Sequence, residues 1–217
     1  MTDFAAARTA MVDTQVRPSD VTQYPIIEAM LAVPREDFVP NAKRAVAYMG
    51  EHVDLGNGRF LLDPRVMGKM LSAASVAPDD LVLDIGCATG YSTALLARMA
   101  EAVVGVEEDE AMARSAEETL SELGADNAVV QTGPLIEGDA ANGPYDVILI
   151  QGGVEQVPAA ILDQLKEDGR IVAIHLQDAG GRCDLGIKAN GRVAWRRAFD
   201  ATAPRLPGFE KPQTFEF

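Results

Sequence analysis

A layered α/β fold is predicted: a mostly parallel seven-stranded sheet, closed by an antiparallel hairpin and preceded by a helical N-terminal segment. Three observations predict it. From Leu81 onward, short apolar runs alternate with helix-length stretches whose apolar residues recur three and four apart. Such alternation implies βαβ units, hence parallel strands with helices on both faces of the sheet. Near the end of the chain, Asn190-Gly191 joins two further apolar runs, and that dipeptide is a strong hairpin signal.

The elements follow in order. Residues 4–16 read as a helix that stops before Arg17-Pro18, because the residue preceding a proline avoids helical geometry. Residues 25–33 read as a second helix, opened by Pro25 at a first-turn position and ended before Pro34. A third begins near Pro64 and carries Val66, Met67, Met70 and Leu71 at helical spacing. The strands are LVLDI, AVVGVE, AVVQT, YDVILIQ and GRIVAIHL, then CDLGIKA and RVAWRRAF. Among the first five lie the helical stretches YSTALLARMA, EAMARSAEETLSELG and PAAILDQLKEDG. Residues 1–80 are expected to pack as a helical segment on the mouth of a ligand site, and residues 81–217 to form the ligand-binding domain, the two making one structural unit.

Composition narrows the function. A length of 217 residues, 47% hydrophobic and 24% charged, suits one sizeable globular core. The net charge of -14 argues against a nucleic-acid partner, since gripping a phosphate backbone requires a basic face. The local cluster of Lys188, Arg192, Arg196, Arg197, Arg205 and Lys211 reads as a solvated face of the last strands. Cys87 and Cys183 form no CxxC pair, so neither a disulfide framework nor a structural zinc site is expected. The N-terminal residues lack the unbroken apolar core of a signal peptide, and no run approaches the roughly 18 apolar residues of a membrane span. A soluble, cytoplasmic protein is expected, with no membrane partner.

The chemistry concentrates in VLDIGCATGYSTALLA, where an apolar strand runs through a small-residue loop into a helix. In parallel sheets ligands sit beyond the carboxyl ends of the strands, at this turn. Gly86, Ala88 and Gly90 let a ligand approach the backbone. A nicotinamide fingerprint would place Gly or Ala where Tyr91 stands, and the absence of a following Gly-Lys-Ser/Thr excludes a Walker phosphate loop. Asp84 would repel a pyrophosphate but attract a ligand bearing an ammonium and a sulfonium. Glu107 falls 21 positions after Gly86, at the end of the next strand, where a carboxylate can accept both hydroxyls of a ribose.

Together Asp84, the alternating small-residue loop and Glu107 resemble the Rossmann-like methyltransferases that use S-adenosylmethionine. The resemblance narrows upstream. MVDTQVRPSDVTQYPIIEAMLAVPREDFVP and AYMGEHVDLGNGRFLLDPRVMGKML look like the N-terminal part of the protein-L-isoaspartate O-methyltransferases, VPREDFVP being the most specific piece. GPYDVILIQGGVEQVPAAILDQLKEDGRIV is similar to that family's fourth strand, following loop and fifth strand, and FDATAPRLPGF looks like the ending of a bacterial subgroup.

This resemblance implies transfer of a methyl group from S-adenosylmethionine to the α-carboxylate of isoaspartyl residues, the first step in repairing damaged proteins. No metal is implied. A carboxylate is already an anionic nucleophile, so alignment matters more than a general base. Asp84, Gly86, Cys87, Ala88, Gly90 and Glu107 are the expected cofactor residues, with Glu108, Pro134 and Leu135 near adenine and ribose and Gln151 beside them. Cys87 reads as a small loop residue rather than a reactive thiol. Trp195 reads as core, and His52 and His175 as surface or strand-end residues, with His52 the nearer to substrate.

Three departures fall at the edge of this pattern. Where the family carries Gln-Thr-Ile-Ser, this chain has Arg59, Phe60, Leu61 and Leu62 ahead of Asp63-Pro64. The family's hydroxyls there help hold substrate and cofactor, so Arg59, Leu62 and Asp63 become the acceptor-side candidates. Arg59 is either a carboxylate clamp or an exposed loop arginine. Gly133-Pro134-Leu135 replaces Gly-Asp-Gly, and Gln151-Gly152-Gly153-Val154 replaces Thr-Ala-Ala-Ala. Three functions share these residues: isoaspartyl methyl transfer, methyl transfer to another carboxylate or small molecule, and cofactor binding without transfer.

Overall fold

The structure is a computed structural model, and it describes residues 3–177 and 180–211. Helix α1 (Phe4–Met11) is capped by the Asp3 carboxylate, which accepts from Ala6 N at 3.0 Å. The chain continues as a wider π-type turn over Val12–Val16 and a tight 3-10 turn over Arg17–Ser19. Helical winding therefore runs past Pro18, which the sequence had placed beyond the end. A proline at the start of a new short turn removes no donor that the turn uses.

Helix α2 (Tyr24–Ala32) is followed by a small antiparallel hairpin, β1 (Val53–Gly56) and β2 (Arg59–Leu61), turned by Asn57 and Gly58. Helix α3 (Pro64–Ala74) starts on an Asp63 cap that accepts from Arg65 N and Val66 N. Then come β3 (Leu81–Ile85), α4 (Tyr91–Ala97), β4 (Ala102–Glu107), α5 (Glu110–Glu122) and β5 (Ala128–Thr132). The chain ends with β6 (Tyr145–Val154), α6 (Ala159–Asp163), β7 (Leu165–Gln177), β8 (Gly180–Ala189) and β9 (Arg192–Asp200).

The large sheet has the order β5-β4-β3-β6-β7-β8-β9. Strands β3 to β7 are parallel, and β8 and β9 add antiparallel to the edge beyond β7. Asn190 and Gly191, at φ 52° and 73°, make the left-handed turn that the hairpin requires. The mixed sheet and closing hairpin agree with the sequence.

Side chains alternate along the strands between two cores. Val82, Val103, Val147, Leu149 and Val172 face one, with Leu83, Ile85, Val104, Ile148, Ile150 and Ile171 facing the other. The first core is thick, because α1 to α5 all contribute to it; Met11, Met30 and Met67 from the N-terminal region share it with Leu95 of α4 and Leu120 of α5. The second is covered more thinly, by Ile161 of α6, Leu135, and Leu206 and Phe209 from the C-terminal segment.

The imbalance corrects the expectation of a full helix over PAAILDQLKEDG. Only one turn forms there, because Leu165 already pairs with Tyr145 and Tyr145 N donates to the Gln164 carbonyl. Asp168 then adopts φ 62° at the bend. The uncovered area falls to the segment after β9. Trp195 is half-buried at the sheet edge, packed edge-on to His175, rather than fully enclosed.

Candidate active site

Strand β3 delivers Asp84 and the Gly86–Gly90 loop, and β4 delivers Glu107 beside them. Gly86 and Gly90 take φ 76° and 92°, and Ala88 itself sits at φ 50°. Gly90 serves packing as well: a Cβ there would lie 2.9 Å from the Ala116 Cβ of α5. The loop turns back so that Ala88 N donates to Glu107 Oε2 at 2.7 Å.

Asp84 is wholly buried and fully engaged. Ser92 and Thr93 hydroxyls donate to Oδ2 at 2.6 and 2.7 Å, and Gln151 Nε2 donates to Oδ1 at 2.6 Å. Burial raises its pKa, and these hydrogen bonds oppose the rise. Asp84 thus ties β3 to α4 and β6, with its lone pairs spent inside the protein. The buried Gln151 Oε1 has no partner among the described residues. Burial also pushes the Cys87 thiol well up, with the charges of Asp84 and Glu107 adding to it. Its environment suits an inert loop residue.

The central feature is an ion pair. Arg59, reaching from β2, donates from Nη2 to Glu107 Oε2 at 2.7 Å, while its Nε lies 3.2 Å from both carboxylate oxygens. Glu108 N and Asp109 N donate to Oε1 at 3.0 and 3.1 Å. With Ala88 N on the other oxygen, the carboxylate is surrounded by donors from its own chain, and little acceptor capacity remains for a ribose diol. Arg59 is therefore not the exposed loop arginine that the sequence allowed; its guanidinium is engaged by the protein's own Glu107.

The remaining residues take varied places. Leu62 is buried in the first core, and its carbonyl accepts from Arg35 Nη2 at 2.7 Å. Asp63 caps α3, and its N–H donates to His52 Nδ1 at 2.9 Å. Glu108 is exposed and Pro134 is exposed, while Leu135 packs in the second core. Burial, then the neighbouring Glu107 charge, raises the Glu108 pKa. Asp84, Gly86, Ala88, Glu107, Gln151 and Arg59 thus form one cluster. Leu62 and Asp63 stand apart from it.

Two participants lie in stretches the resemblance picks out, VPREDFVP and FDATAPRLPGF, but are not among the expected site residues. The first is Arg35, whose buried guanidinium also donates from Nε to the Ala47 carbonyl at 2.6 Å and lies 5.0 Å over the Tyr91 ring. The second is the segment after β9. Its Leu206 N donates to the Gly153 carbonyl, Gly153 N donates to the Pro204 carbonyl, and His52 Nε2 lies 3.0 Å from the Thr202 carbonyl. This path carries Leu206 over the carboxyl ends of β3 and β6. A Cβ built on Gly86 would lie 2.7 Å from Arg59 Nη2 and 3.3 Å from Leu206 Cδ2, and one on Gly152 would lie 2.5 Å from Leu206 Cγ. Five hollows on the described surface are lined by other residues than the expected cofactor set. In this arrangement Arg59 and Leu206 occupy the space beside Gly86 and Gly152.

Known proteins resemble the chain throughout. The family model for protein-L-isoaspartate(D-aspartate) O-methyltransferase matches residues 6–184. The protein-L-isoaspartate O-methyltransferase of Koribacter versatilis is 38% identical over 172 residues, 79% of this chain and 78% of its own. That of Gloeobacter violaceus is 33% identical over 204 residues, 94% of this chain and 99% of its own. A solved protein-L-isoaspartate O-methyltransferase, 23% identical, shares the fold with a TM-score of 0.81 over 93% of this chain and 66% of its own. A second, from Plasmodium falciparum in complex with S-adenosyl-L-homocysteine, is 17% identical with a TM-score of 0.77, over 94% of this chain and 99% of its own.

Proposed function

This chain belongs to the protein-L-isoaspartate(D-aspartate) O-methyltransferase family, and we propose that it methylates the α-carboxylate of isoaspartyl residues in damaged proteins, with S-adenosylmethionine as donor. The observation that carries this reading is the family match over residues 6–184 falling on a chain that sets Glu107 directly against the Gly86–Gly90 loop. Glu107 is the residue that would hold the donor's ribose, and Gly86 and Ala88 are the positions its methionine arm would pass. Cys87, Gly90, Glu108, Pro134, Leu135 and Gln151 complete the proposed cofactor set. Arg59, Leu62 and Asp63 remain the proposed acceptor-side positions.

The partners in this reading are isoaspartyl-containing proteins or peptides. The net charge of -14 is what disfavours nucleic acid. Among the described residues no helix is long and apolar enough to cross a membrane, and no cluster of His, Cys, Asp or Glu could hold a metal ion. A cytoplasmic location is supported by Cys87 and Cys183, both buried as free thiols.

A second reading keeps the donor and changes the acceptor to another carboxylate. Leu62 favours it, since a buried leucine offers no hydroxyl where the family places one. Labelled methyl transfer to an isoaspartyl peptide, beside its normal aspartyl twin, separates the two. Labelling of the isoaspartyl peptide alone is the expected result. Labelling of small free acids but of neither peptide would replace the first reading with the second.

A further inference from the structure

Two side chains from distant parts of the chain meet over the same glycine. Arg59 arrives from β2, and Leu206 from the segment after β9; both lie within 3.5 Å of where a Cβ on Gly86 would stand. Arg59 and Glu107 are sealed from solvent, and Leu206 is just as deeply buried. The guanidinium takes two-pronged contact with the very carboxylate that would receive a ribose diol. Leu206 covers Gly86 and Gly152 together, which closes the gap between β3 and β6.

We propose that this chain keeps its own donor site closed, with Arg59 standing on Glu107 in place of the ribose and Leu206 filling the space over Gly86 and Gly152, so that S-adenosylmethionine binds only when both withdraw. The proposal rests on the methyltransferase reading above.

The elements that carry the two side chains are anchored in the two cores, so it is the side chains themselves that must withdraw. Arg59 rides on a hairpin of two short strands that pair only with each other and are held by Val53, Leu55 and Leu61 in the first core. Gly56 at the end of β1 and Gly58 in the turn take φ 95° and 72°. The Leu206 segment is fastened by main-chain bonds at Gly153 and from Glu155 N and Gln156 N to the Phe209 carbonyl, by Phe209 buried in the second core, by the His52 contact and by an exposed Arg205–Glu155 pair. An exposed pair of that kind restrains a segment only weakly. Opening must come before donor binding.

The test is calorimetric titration of S-adenosylhomocysteine and S-adenosylmethionine into the full chain, its Arg59→Gln and Leu206→Ala variants, and the double variant, each checked as folded by circular dichroism. The double variant is expected to bind at least tenfold more tightly than the wild type, with the single variants between. If Arg59→Gln fails to fold, Leu206→Ala decides alone, since it leaves the ion pair intact; it should gain at least threefold. Equally tight binding by wild type and variants overturns the closure and leaves the methyltransferase reading standing. Absence of binding in every folded protein, the double variant included, overturns both.

Discussion

Arg59 and Glu107 form an ion pair with side chains only 2% and 0% exposed, and Glu107 also accepts three backbone N–H groups from Ala88, Glu108 and Asp109. The two partners are therefore unequal. Arg59→Met leaves the carboxylate its backbone donors and should cost about 3 kcal/mol of stability. Glu107→Leu strands a buried guanidinium and three N–H groups together, and should cost about 5 kcal/mol. Urea denaturation of both variants checks the order; equal losses would show that the backbone donors contribute nothing.

Asp84 gathers Ser92, Thr93 and Gln151 around one buried carboxylate. Asp84→Ala leaves all three donors without a partner and should lose about 3 kcal/mol. Asp84→Asn keeps one acceptor oxygen and should lose less. A stability series in urea tests this, and an unchanged midpoint for the alanine variant would contradict the arrangement.

Gly86→Val would bring a Cβ to 2.7 Å from Arg59 Nη2 at a backbone φ of 76°. From sequence, that substitution should abolish donor binding. The structure adds a loss of about 2–3 kcal/mol in the protein without any ligand, from strain and displacement of Arg59. Thermal melting in ligand-free buffer measures it, and a melting point equal to wild type would mean that Arg59 does not stand over the loop.

Burial lowers the His175 pKa, against the pull of Asp184, whose carboxylate lies 2.8 Å from Nδ1; Arg182 and Lys211 add to the lowering. The unfolded chain then takes up the proton at a higher pH than the folded one. Stability should be full above about pH 6.5, and decline as pH falls from there through the lower folded value. Urea midpoints for wild type and His175→Gln, compared at pH 8 and pH 5.5, report this. The wild type should lose more than the variant over that interval.

Much of this protein was legible before any coordinates. LVLDI, AVVGVE and AVVQT are strands with those bounds: the first two are central parallel strands buried on both faces, and the third is an edge strand with only Val130 buried. Gly86, Ala88 and Glu107 were placed at one ligand mouth by their positions at the ends of neighbouring strands. The β1–β2 hairpin has its own sequence signal in Asn57-Gly58, though its strands are too short to show a clear alternation. The apolar spacing of PAAILDQLKEDG suits a helix, and the pairing of Leu165 with Tyr145 overrides that preference.

What the sequence alone determined was the α/β order, the glycine loop and the carboxylate that faces it, since these depend on local periodicity and on spacing along neighbouring elements. Only the tertiary structure decided which groups Glu107 and Gly86 meet. Arg59 lies 48 residues before Glu107 along the chain, and Leu206 follows the last strand of the sheet. A charged or apolar side chain takes its partner from whatever the folded chain brings within a few ångströms, and no short-range pattern records that choice.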